Sequence, residues 1–593
     1  MAPPATTQTV RPLDGLRLDT SGPPELTGLV SEHLRLLGAR TPSAPAASGH
    51  AGSAHVTLTG DGFECLEARA AWAQPSSGIT DEATVQAATG IMAVHGRRDG
   101  EPRGLAVDYA ATATAVLTVQ GLLAATLGQA RGGPCGRVVT GADRAGLLAV
   151  SQYLAAAGAD EGEAAELAPG GPPFIAGDGT LFELETLDPA DWAAFWRALD
   201  APADAIRAGW RPFQFRYATA CAPVPAALHA TARARTWHRI LEAASDSGAE
   251  VCPLHTLADR AAEHDGAAPW SLAAQGSGHR AAAIPPTAAQ PLAGLTVLEA
   301  GRRIQAPLAA HLLGLLGATV VRVEPPGGDP LRAMPPACSG ISARWLALNR
   351  GKQAVEIDIK SPSDRLRLRE MAAQADVFLH NWAPGTAARL GLDAGDLAAV
   401  NPALVYAYTS GWADRMPEAP MGTDFMVQAR TAVGEAARPA DEPPAPSLMT
   451  LLDLLGGLLG GEAVLAGLLL RERTGQGVRV DSSLLGAADV LTAPALRRAA
   501  TGGSARRPAG FRRPLRTADG WVAPADACAA AAGTHELREL RTGEALTLLR
   551  EHGLAATAVT TDLADLHHDP RFAGSIGRDK HGAPAVPDPW SFT

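Results

Sequence analysis

Apolar residues form one long, nearly unbroken run in the second half of the sequence. Between Leu454 and Leu470 the only charged residue is Glu462. A segment that is apolar on all sides is typical of a helix buried within a large protein. The charged residues at 471–473 and the Thr-Gly-Gln-Gly that follows predict the end of this helix, and GVRVD at 477–481 predicts a short strand after it.

Upstream of that run, short apolar and β-branched segments alternate with helical patterns. The predicted strands lie at 295–301, 319–326, 354–360, 376–382 and 404–411. Helices are expected after the first strand and over 362–374, so the pattern predicts an α/β fold with a doubly wound parallel sheet. Ligands of such sheets bind at the carboxyl ends of the strands. The helical stretch after Asp424 and a smaller α/β domain from about residue 512 complete the predicted fold.

The sequence contains an internal repeat. The matching pairs are PLDGLRL (12–18) and PLAGLTV (291–297), HLRLLGAR (33–40) and HLLGLLGAT (311–319), EATVQAATG (82–90) and DFMVQARTA (424–432), 104–127 and 447–470, and PWS at 269–271 and 589–591. The fourth pair places Asp108 opposite Asp453. Self-similarity of this kind indicates two copies of one module.

Both copies are incomplete. The offset between them grows from 279 residues at Gly38 and Gly317 to 345 at the two aspartates, so the first copy lacks 66 residues. The second copy lacks most of the region that occupies 210–241 in the first. We therefore predict a degenerate module over 1–285 and a module with the active site over 286–593. A Pro-rich linker at 284–291 and an Ala/Ser/Gly-rich loop at 41–53 are expected.

Charge and composition argue against several classes of function. The formal net charge is −11 and the pI is about 5.8, which argues against binding nucleic acid or an anionic membrane surface. The first residues have no apolar segment typical of a signal peptide, and the longest apolar run is interrupted by five glycines and a Glu. We expect a cytoplasmic protein. Six scattered cysteines predict neither a zinc site nor a disulfide framework.

Asp453 is the first candidate for chemistry, because this carboxylate stands at the start of the apolar helix. An acidic residue there is usually a cap for the free N–H groups of the first turn. Four glycines (Gly456, Gly457, Gly460 and Gly461) crowd the next turns, although each costs ~1 kcal/mol relative to Ala in a helix interior. Glycine is tolerated where another backbone or a ligand must approach closely, so both interpretations stay open.

Residues in or just after the ends of the predicted strands are candidates for the expected crevice. They are Gln305, Ala306, Arg322, Glu324, Lys360, Asn381, Trp382, Ala383 and Arg389. Each one alone is more typical of a surface or capping residue than of a site. Lys360 and Arg389 together could hold an anion through charge-assisted hydrogen bonds. His567-His568-Asp569 looks metal-like, but adjacent histidines point in different directions, so we expect no metal.

Six motifs of the second half occur in a fixed order. They are PLAGLTVLE, LLGATVVRVEPPGGDP, LALNRGKQAVEIDIKSP, NWAPGTAARLGL, the D-x-x-x-Q-A segment at 424–429, and the Asp453 helix with its R-x-x-T-G-x-G ending and V-D strand. This series resembles the class III CoA-transferases, the family of carnitine-CoA and formyl-CoA transferases. The resemblance covers most of 291–590 and weaker parts of 12–285.

The resemblance implies a set of roles. Asp453 would be the nucleophile, with Gln305 and Asp424 as further catalytic candidates. The family's CoA contacts would fall on Gln305, Ala306, Arg322, Ile357 to Lys360, Asn381, Trp382, Ala383 and Arg389. The implied reaction moves coenzyme A from an acyl-CoA to a carboxylic acid through an aspartyl mixed anhydride and an aspartyl-CoA thioester. Two threaded copies would form an interlocked pseudo-dimer within one chain.

The sequence departs from the family in ways that keep alternatives open. Gln305-Ala306-Pro307 replaces Ala-Gly-Pro, and Gly502-Gly503 with an Arg-rich stretch replaces a mobile glycine loop. The first half has lost the CoA segments, so we expect Asp108 to be a structural remnant. Thr423 replaces the proton-shuttling His of the racemases, which argues against racemisation. A CoA-dependent lyase, isomerase or acyltransferase, and a non-catalytic scaffold that binds an acyl carrier, are the remaining hypotheses.

Overall fold

The computed structural model describes residues 10–41, 52–134, 136–163, 165–278, 284–572 and 574–593. The strands of the first half are β1 (Arg17–Ser21), β2 (Ser53–Gly60), β3 (Phe63–Ala71), β4 (Val138–Gly141), β5 (Phe174–Ile175), β6 (Leu181–Glu185), β7 (Glu250–Pro253) and β8 (Trp270–Ser277). Its helices are α1 (Pro24–Leu36), α2 (Glu82–Ala88), α3 (Ile91–Gly96), α4 (Tyr109–Ala130), α5 (Ala142–Ala149), α6 (Ser151–Ala157), α7 (Pro189–Ala198), α8 (Ala203–Thr219), α9 (Ala226–Arg233), α10 (Trp237–Ser247) and α11 (Leu257–Glu263). Most of the predicted loop at 41–53 lies outside the described residues.

The second half has its own set of elements. Its strands are β9 (Thr296–Ala300), β10 (Thr319–Glu324), β11 (Ala337–Cys338), β12 (Ile341–Ser342), β13 (Gln353–Glu356), β14 (Val377–His380), β15 (Val405–Ser410), β16 (Gln476–Ser483), β17 (Leu515–Arg516), β18 (Trp521–Pro524), β19 (Ala556–Ala558), β20 (Gly577–Arg578), β21 (Pro584–Ala585) and β22 (Trp590–Phe592). Its helices are α12 (Gln305–Leu315), α13 (Ala343–Asn349), α14 (Pro362–Gln374), α15 (Thr386–Leu390), α16 (Ala394–Ala398), α17 (Asp424–Arg430), α18 (Val433–Ala436), α19 (Leu451–Thr474), α20 (Leu484–Ala500), α21 (Ala529–Ala532) and α22 (Thr542–Glu551).

The sheet of the second half is doubly wound, as the sequence predicts. Its strand order is β13-β10-β9-β14-β15-β16-β8, and all pairs except β16 with β8 are parallel. Between β9 and β14 the winding direction reverses, and the residues after these two strands share the crevice where such folds bind ligands. The third predicted strand is shorter than expected: β13 ends at Glu356, and the chain continues without regular structure into a turn at 359–360.

The sheet of the first half is different, so the doubly wound sheet is not duplicated, although the sequence predicts a tandem repeat of the fold. Its order is β1-β2-β3-β4-β22, and only β3 with β4 is parallel. The 66 residues that are missing would have supplied the crossover elements of a parallel sheet. Instead, Asp61 and Gly62 connect β2 directly to β3 as an antiparallel hairpin.

Each half ends in a strand that pairs with the sheet of the other half. The strand β8 lies antiparallel to β16, with Trp270 opposite Ser482. At the other end of the chain, β22 lies antiparallel to β4, with Trp590 opposite Thr140. The repeated PWS segments therefore occupy corresponding positions in opposite sheets. A strand that is bonded into the other half's sheet ties the two halves together along the backbone.

The two long apolar helices, α4 and α19, pack against each other in the main core. The side-chain amide of Gln120 donates a hydrogen bond to the carbonyl of Leu458, and the Tyr109 hydroxyl donates one to the carbonyl of Leu451 at 3.0 Å. By length and composition alone both helices could cross a membrane. Within the protein, 94% of the most apolar window of each is buried, as expected for core helices.

Glycines of α19 allow α12 to approach it closely. A Cβ atom added at Gly457 would lie 2.9 Å from the backbone carbonyl oxygen of Gln305, and one at Gly456 would lie 2.9 Å from the side-chain nitrogen of Gln305. Real Cβ atoms essentially never lie so close to another atom, so the start of α12 or the Gln305 side chain would have to move. The glycine-rich first turns of α19 are thus explained by the start of α12, which carries one of the predicted site residues.

Candidate active site

A cavity of about 790 Å³ opens at the point where β9 and β14 diverge. Asn381, just after β14, joins the two strand ends. Its side-chain oxygen accepts a hydrogen bond from the backbone N–H of Arg302 at 2.8 Å, and its amide donates to the Arg302 carbonyl at 3.0 Å. Among the predicted site residues, the cavity is lined by Gln305, Asn381, Trp382, Ala383, Asp424 and Asp453. The structure therefore brings six of the predicted residues together.

Asp453 lies in the first turn of α19, after Thr450, whose φ of 55° places it in the left-handed region. Its side chain is half-buried at the cavity wall. In the part of the chain that the structure describes, no hydrogen bond or ion pair to its carboxylate is found. Burial raises the pKa of Asp453 to about 6, with Glu185 adding to the shift and Arg303 opposing it. This carboxylate is therefore ionised at neutral pH and weakly solvated, which suits a nucleophile.

An acidic residue at the position of Asp453 would be expected to cap the helix. Asp424 is the residue that accepts a hydrogen bond from the first turn of α19. Its Oδ2 accepts a hydrogen bond from the backbone N–H of Asp453 at 2.7 Å, and its Oδ1 accepts one from the side-chain amide of Gln428. Gln428 is fixed in turn, because it accepts from the N–H of Ser447 at 2.8 Å and donates to the Ser447 carbonyl at 2.9 Å. Burial and the nearby Asp453 raise the pKa of Asp424 to about 8. Asp424 thus orients the start of α19 beneath the cavity.

Gln305 begins α12, and its side chain is almost fully buried, with 4% exposed. Its amide nitrogen donates a hydrogen bond to the carbonyl of Ser410 at 3.3 Å. The first N–H groups of a helix have no partner within that helix, so the start of α12 offers backbone donors beside the cavity wall that Gln305 forms. Those donors could stabilise an oxyanion near Asp453.

The remaining predicted CoA residues lie outside the cavity. Arg322 is 2% exposed and does not line the cavity, and its guanidinium forms buried ion pairs with Glu299 and Asp329. Ala306 and Ile357 are buried. Lys360, in the turn after β13, and Arg389, in α15, are exposed, and the Arg389 guanidinium donates to the Thr386 hydroxyl at 3.2 Å.

Asp108, the counterpart of Asp453, has a different environment. The guanidinium of Arg512 donates to its carboxylate at 2.6 Å, and Arg507 lies 3.4 Å away. Arg512 also donates to Asp526 and to the backbone carbonyl of Val107. Burial alone would raise the pKa of Asp108, but the charge and hydrogen bond of Arg512 outweigh it and hold the pKa below its usual value. The Arg-rich stretch that replaces the glycine loop thus neutralises this aspartate.

Sequence reasoning missed the contribution of the first half to the cavity. Glu185, at the end of β6, forms an ion pair with Arg216 at 3.0 Å and accepts a hydrogen bond from the Thr423 hydroxyl at 2.8 Å. Trp210 and Tyr217 of α8 line the same wall. These residues lie far from Asp453 in the sequence. One signal in the sequence could have pointed to Trp210 and Tyr217: the first half keeps the region 210–241, which the second half has lost.

Two clusters of side chains combine histidine with carboxylates, as a metal site would. Among the described residues, His264, Asp265 and Asp489 lie close enough together to share an ion. Arg415 pairs with both of these aspartates, and Arg260 pairs with Asp489, so their charge is already compensated. In the second cluster, His567-His568-Asp569, for which we predict no metal, the Asp569 carboxylate forms an ion pair with Arg571 at 2.5 Å.

Comparison with known sequences decides the family. The sequence model of CoA-transferase family III matches residues 73–286 and again 292–581. The chain belongs to CoA-transferase family III. The double match agrees with the internal repeat and with a tandem arrangement of two modules.

Curated relatives in this family align with about a third of the chain. The match to the succinyl-CoA:glutarate CoA-transferase of Mus musculus is 35% identical over 199 residues, which is 33% of this chain and 46% of the relative. The acetyl-CoA:oxalate CoA-transferase of Acetobacter aceti is 36% identical over 197 residues, 33% of this chain and 51% of the relative. The chain spans about half the length of the curated relatives it matches.

Solved structures of family members also align. A CaiB/BaiF family protein from Brucella suis is 27% identical, with a TM-score of 0.45, and covers 50% of this chain and 91% of its own. Rv3272 from Mycobacterium tuberculosis is 25% identical, with a TM-score of 0.43, and covers 50% of this chain and 92% of its own.

Proposed function

We propose that this protein transfers coenzyme A between an acyl-CoA and a carboxylic acid through covalent intermediates on Asp453. The observation that carries the proposal is the contrast between the two repeated aspartates. Asp453 lines a cavity, its carboxylate has no hydrogen-bond partner among the described residues, and burial raises its pKa. Asp108 is paired with Arg512 and Arg507. One free carboxylate and one neutralised carboxylate support a single working site at Asp453.

The proposed reaction has four acyl-transfer steps. An oxygen of Asp453 attacks the donor thioester and expels CoA thiolate, which leaves a mixed anhydride. The thiolate attacks the aspartyl carbonyl and releases the donor acid, which leaves an aspartyl-CoA thioester. The acceptor carboxylate attacks this thioester and expels the thiolate again, forming a second anhydride. The thiolate then attacks the acceptor's carbonyl, which gives the new acyl-CoA and regenerates Asp453.

The residues around Asp453 suit these steps. We assign the positioning of the nucleophile to Asp424, because it holds the backbone N–H of Asp453. Gln305 and the first N–H groups of α12 are assigned to the oxyanions that form in each step. Gln305 is buried and Asp453 is half-buried, so the site limits access of water, which would hydrolyse an anhydride.

Coenzyme A is proposed to enter along the carboxyl ends of the strands. Asn381, Trp382 and Ala383 line the cavity and continue it toward the exposed α15. The exposed cations Lys360 and Arg389 would bind the CoA phosphates. Ala306 and Ile357 are buried, so they are left with backbone or packing roles. Arg322 is already paired with Glu299 and Asp329, so we do not include it among the residues proposed to bind CoA.

We further propose that modules 1–285 and 286–593 form an interlocked pseudo-dimer. The exchange of β8 and β22 between sheets supports this arrangement. The two truncations also fit one working site. The region 210–241, which lines the Asp453 cavity, is kept in the first half, while its counterpart, which would serve the Asp108 side, is missing from the second.

Turnover tests the proposal. Purified protein is incubated with acetyl-CoA or succinyl-CoA and a panel of acids, and new acyl-CoA esters are separated by chromatography. The wild type and Asp108→Asn should form a new ester, whereas Asp453→Asn should not. Wild-type turnover by Asp453→Asn would remove the covalent mechanism. Consumption of a CoA ester to a rearranged or cleaved product, without transfer, would favour a lyase or isomerase.

A further inference from the structure

Glu185, the last residue of β6, brings a carboxylate of the first half into the wall of the Asp453 cavity. Only 3% of the residue is exposed. The Arg216 guanidinium forms an ion pair with it at 3.0 Å, and the Thr423 hydroxyl and the backbone N–H of Thr186 donate hydrogen bonds to it at 2.8 and 3.1 Å. A carboxylate is costly to bury, so one that is held at a cavity wall is a candidate for a functional role.

The contact with Glu185 takes Thr423 away from the role that its position suggests. Thr423 directly precedes α17, where a threonine hydroxyl usually accepts a hydrogen bond from the first turn and so stabilises the helix. Within the described structure its hydroxyl makes no such bond and donates to Glu185 instead. The next residue is Asp424, which accepts the N–H of Asp453. Glu185 therefore holds the turn from which the nucleophile is positioned.

The ion pair of Glu185 and Arg216 touches α17 at a second point. The Arg216 guanidinium lies over the ring of Phe425, 4.8 Å from its centroid. Thr423 and Phe425 are the two neighbours of Asp424 in the chain. The ion pair therefore contacts both sides of the residue that orients the nucleophile.

The other half has a corresponding contact with different chemistry. An Asp-Gly pair shortly precedes the corresponding strand of each half, which aligns Glu185 with Asp526, and the repeat aligns Thr423 with Asp81. The backbone N–H of Asp526 donates to Asp81 at 2.6 Å, and Asp81 also caps α2. The side chain of Asp526 pairs instead with Arg512. Only beside the working site is this contact made through the carboxylate itself.

The charge of Glu185 also acts on Asp453. Besides burial, Arg303 and Glu185 shift the pKa of Asp453, with Arg303 lowering it and Glu185 raising it. Asp424 is a further neighbour, whose own pKa Asp453 raises. Tyr109 of α4 also faces Asp453, and burial raises its pKa so that it stays neutral. Loss of the charge at Glu185 would therefore lower the pKa of the nucleophile. Further charged side chains that line the cavity are Arg216, Arg302, Glu250, Asp414 and Glu418.

We propose that Glu185 is a positioning residue of the transfer reaction, which holds the turn of Thr423 and Asp424 in place and keeps Asp453 strongly nucleophilic through its negative charge. This inference rests on the proposed CoA transfer at Asp453. A carboxylate that is more basic, yet still ionised at neutral pH, attacks a thioester more readily. The first half thus contributes to the chemistry of a nucleophile that the second half carries.

Two substitutions separate the charge of Glu185 from its hydrogen bond. Glu185→Gln removes the charge and keeps a hydrogen bond with Thr423, because a hydroxyl can donate or accept. The acid limb of kcat/KM should then move to lower pH. Thr423→Val removes the hydroxyl and keeps the charge, so kcat should fall about tenfold or more while the acid limb stays in place. Thr423→Ser should restore kcat, and KM for the acyl-CoA should change little throughout.

Asp526→Asn is the matched control, because it breaks the ion pair of the corresponding residue in the other half. It should keep the acid limb and kcat per folded molecule. A second readout needs no turnover: the difference in unfolding free energy between proteins with Asp453 and with Asn at that position changes with pH according to the pKa of Asp453. Between pH 4 and 7 this change should be smaller in the Glu185→Gln background than in the wild type.

Three results would overturn the inference. They are an acid limb that Glu185→Gln leaves in place, a wild-type kcat in Thr423→Val, and a loss of kcat in Asp526→Asn equal to that in Thr423→Val. The last would reduce both effects to stability. None of these results touches the proposed reaction, which fails separately if Asp453→Asn still forms new CoA esters.

Discussion

The side chain of Asp424 accepts a hydrogen bond from the backbone N–H of Asp453 at 2.7 Å. The first half repeats the arrangement, with Glu82 accepting hydrogen bonds from the N–H groups of Ala110 and Ala111, both at 2.8 Å, at the start of α4. The same device thus fixes the helix after each aspartate. The two aspartates themselves differ. Among the described residues the carboxylate of Asp453 has no partner, whereas that of Asp108 is paired with Arg512 and Arg507.

Asp424→Asn should slow turnover and destabilise the protein. An Asn amide would face either Gln428 or the N–H of Asp453, both of which donate, so one hydrogen bond is lost and a buried donor is left unpaired, at a cost of about 1–3 kcal/mol. Denaturant unfolding and kcat measure the two effects. Glu82→Gln is the matched control: it should lose similar stability and keep kcat per folded molecule. Equal loss of kcat in both variants would show that Asp424 acts only through stability.

Asp453 should control the pH dependence of the reaction. Its pKa of about 6 predicts that kcat/KM falls as pH drops below about 6, because the nucleophile becomes protonated. The pKa of Asp453 in the folded protein lies above its usual value, so ionising Asp453 lowers the free energy of unfolding. That loss disappears only at acidic pH, where Asp453 is protonated in both the folded and the unfolded state. Relative to Asp453→Asn, the wild type should lose unfolding free energy as pH rises from 4 to 7. A flat difference would contradict the raised pKa.

The sequence predicts those parts of the protein that depend on local patterns. The sheet of 296–483 follows from alternating apolar segments, and the position of Asp453 follows from a helix signature. The hairpin of β2 and β3 could not be predicted, because it depends on which residues the first half has lost. Arg322 looked like a crevice residue by its place in a strand, but its ion pairs with Glu299 and Asp329 are set by tertiary packing.

His33 should make stability depend on pH in the opposite sense. Its ring Nδ1 donates a hydrogen bond to the Glu462 carboxylate at 2.9 Å, and the Trp270 indole of β8 donates to the same carboxylate at 3.1 Å. Burial would lower the pKa of His33, but the charge of Glu462 outweighs it, and the pKa is raised. The contribution of His33 is therefore complete below pH 6.5 and is lost as pH rises through the folded pKa.

The comparison is made with His33→Gln by denaturant unfolding between pH 6 and 9. The stability gap to the wild type should be largest at pH 6 and shrink on the alkaline side. Trp270→Phe removes a hydrogen bond without a titrating group, so its cost should stay nearly constant across this range. A gap for His33→Gln that widens with pH would contradict the charged pair.

The fragment 286–593 should not fold alone. It lacks β8, which pairs with β16, and it lacks α4, which covers α19. The apolar face of α19 would be exposed, which leads to aggregation. Co-expression with 1–285 should restore soluble protein, as measured by gel filtration and yield. A soluble and active 286–593 fragment would show that the first half is dispensable.

The most direct measurement of the central claim is the mass spectrometry of Asp453 during turnover. Protein mixed with an acyl-CoA is quenched with hydroxylamine, which converts an aspartyl anhydride or thioester into a hydroxamate, and is then digested. The account predicts the modified mass on the peptide that contains Asp453, and on no peptide of Asp453→Asn. Modification of the Asp108 peptide instead, or turnover with no modified aspartate, would contradict a covalent reaction at Asp453.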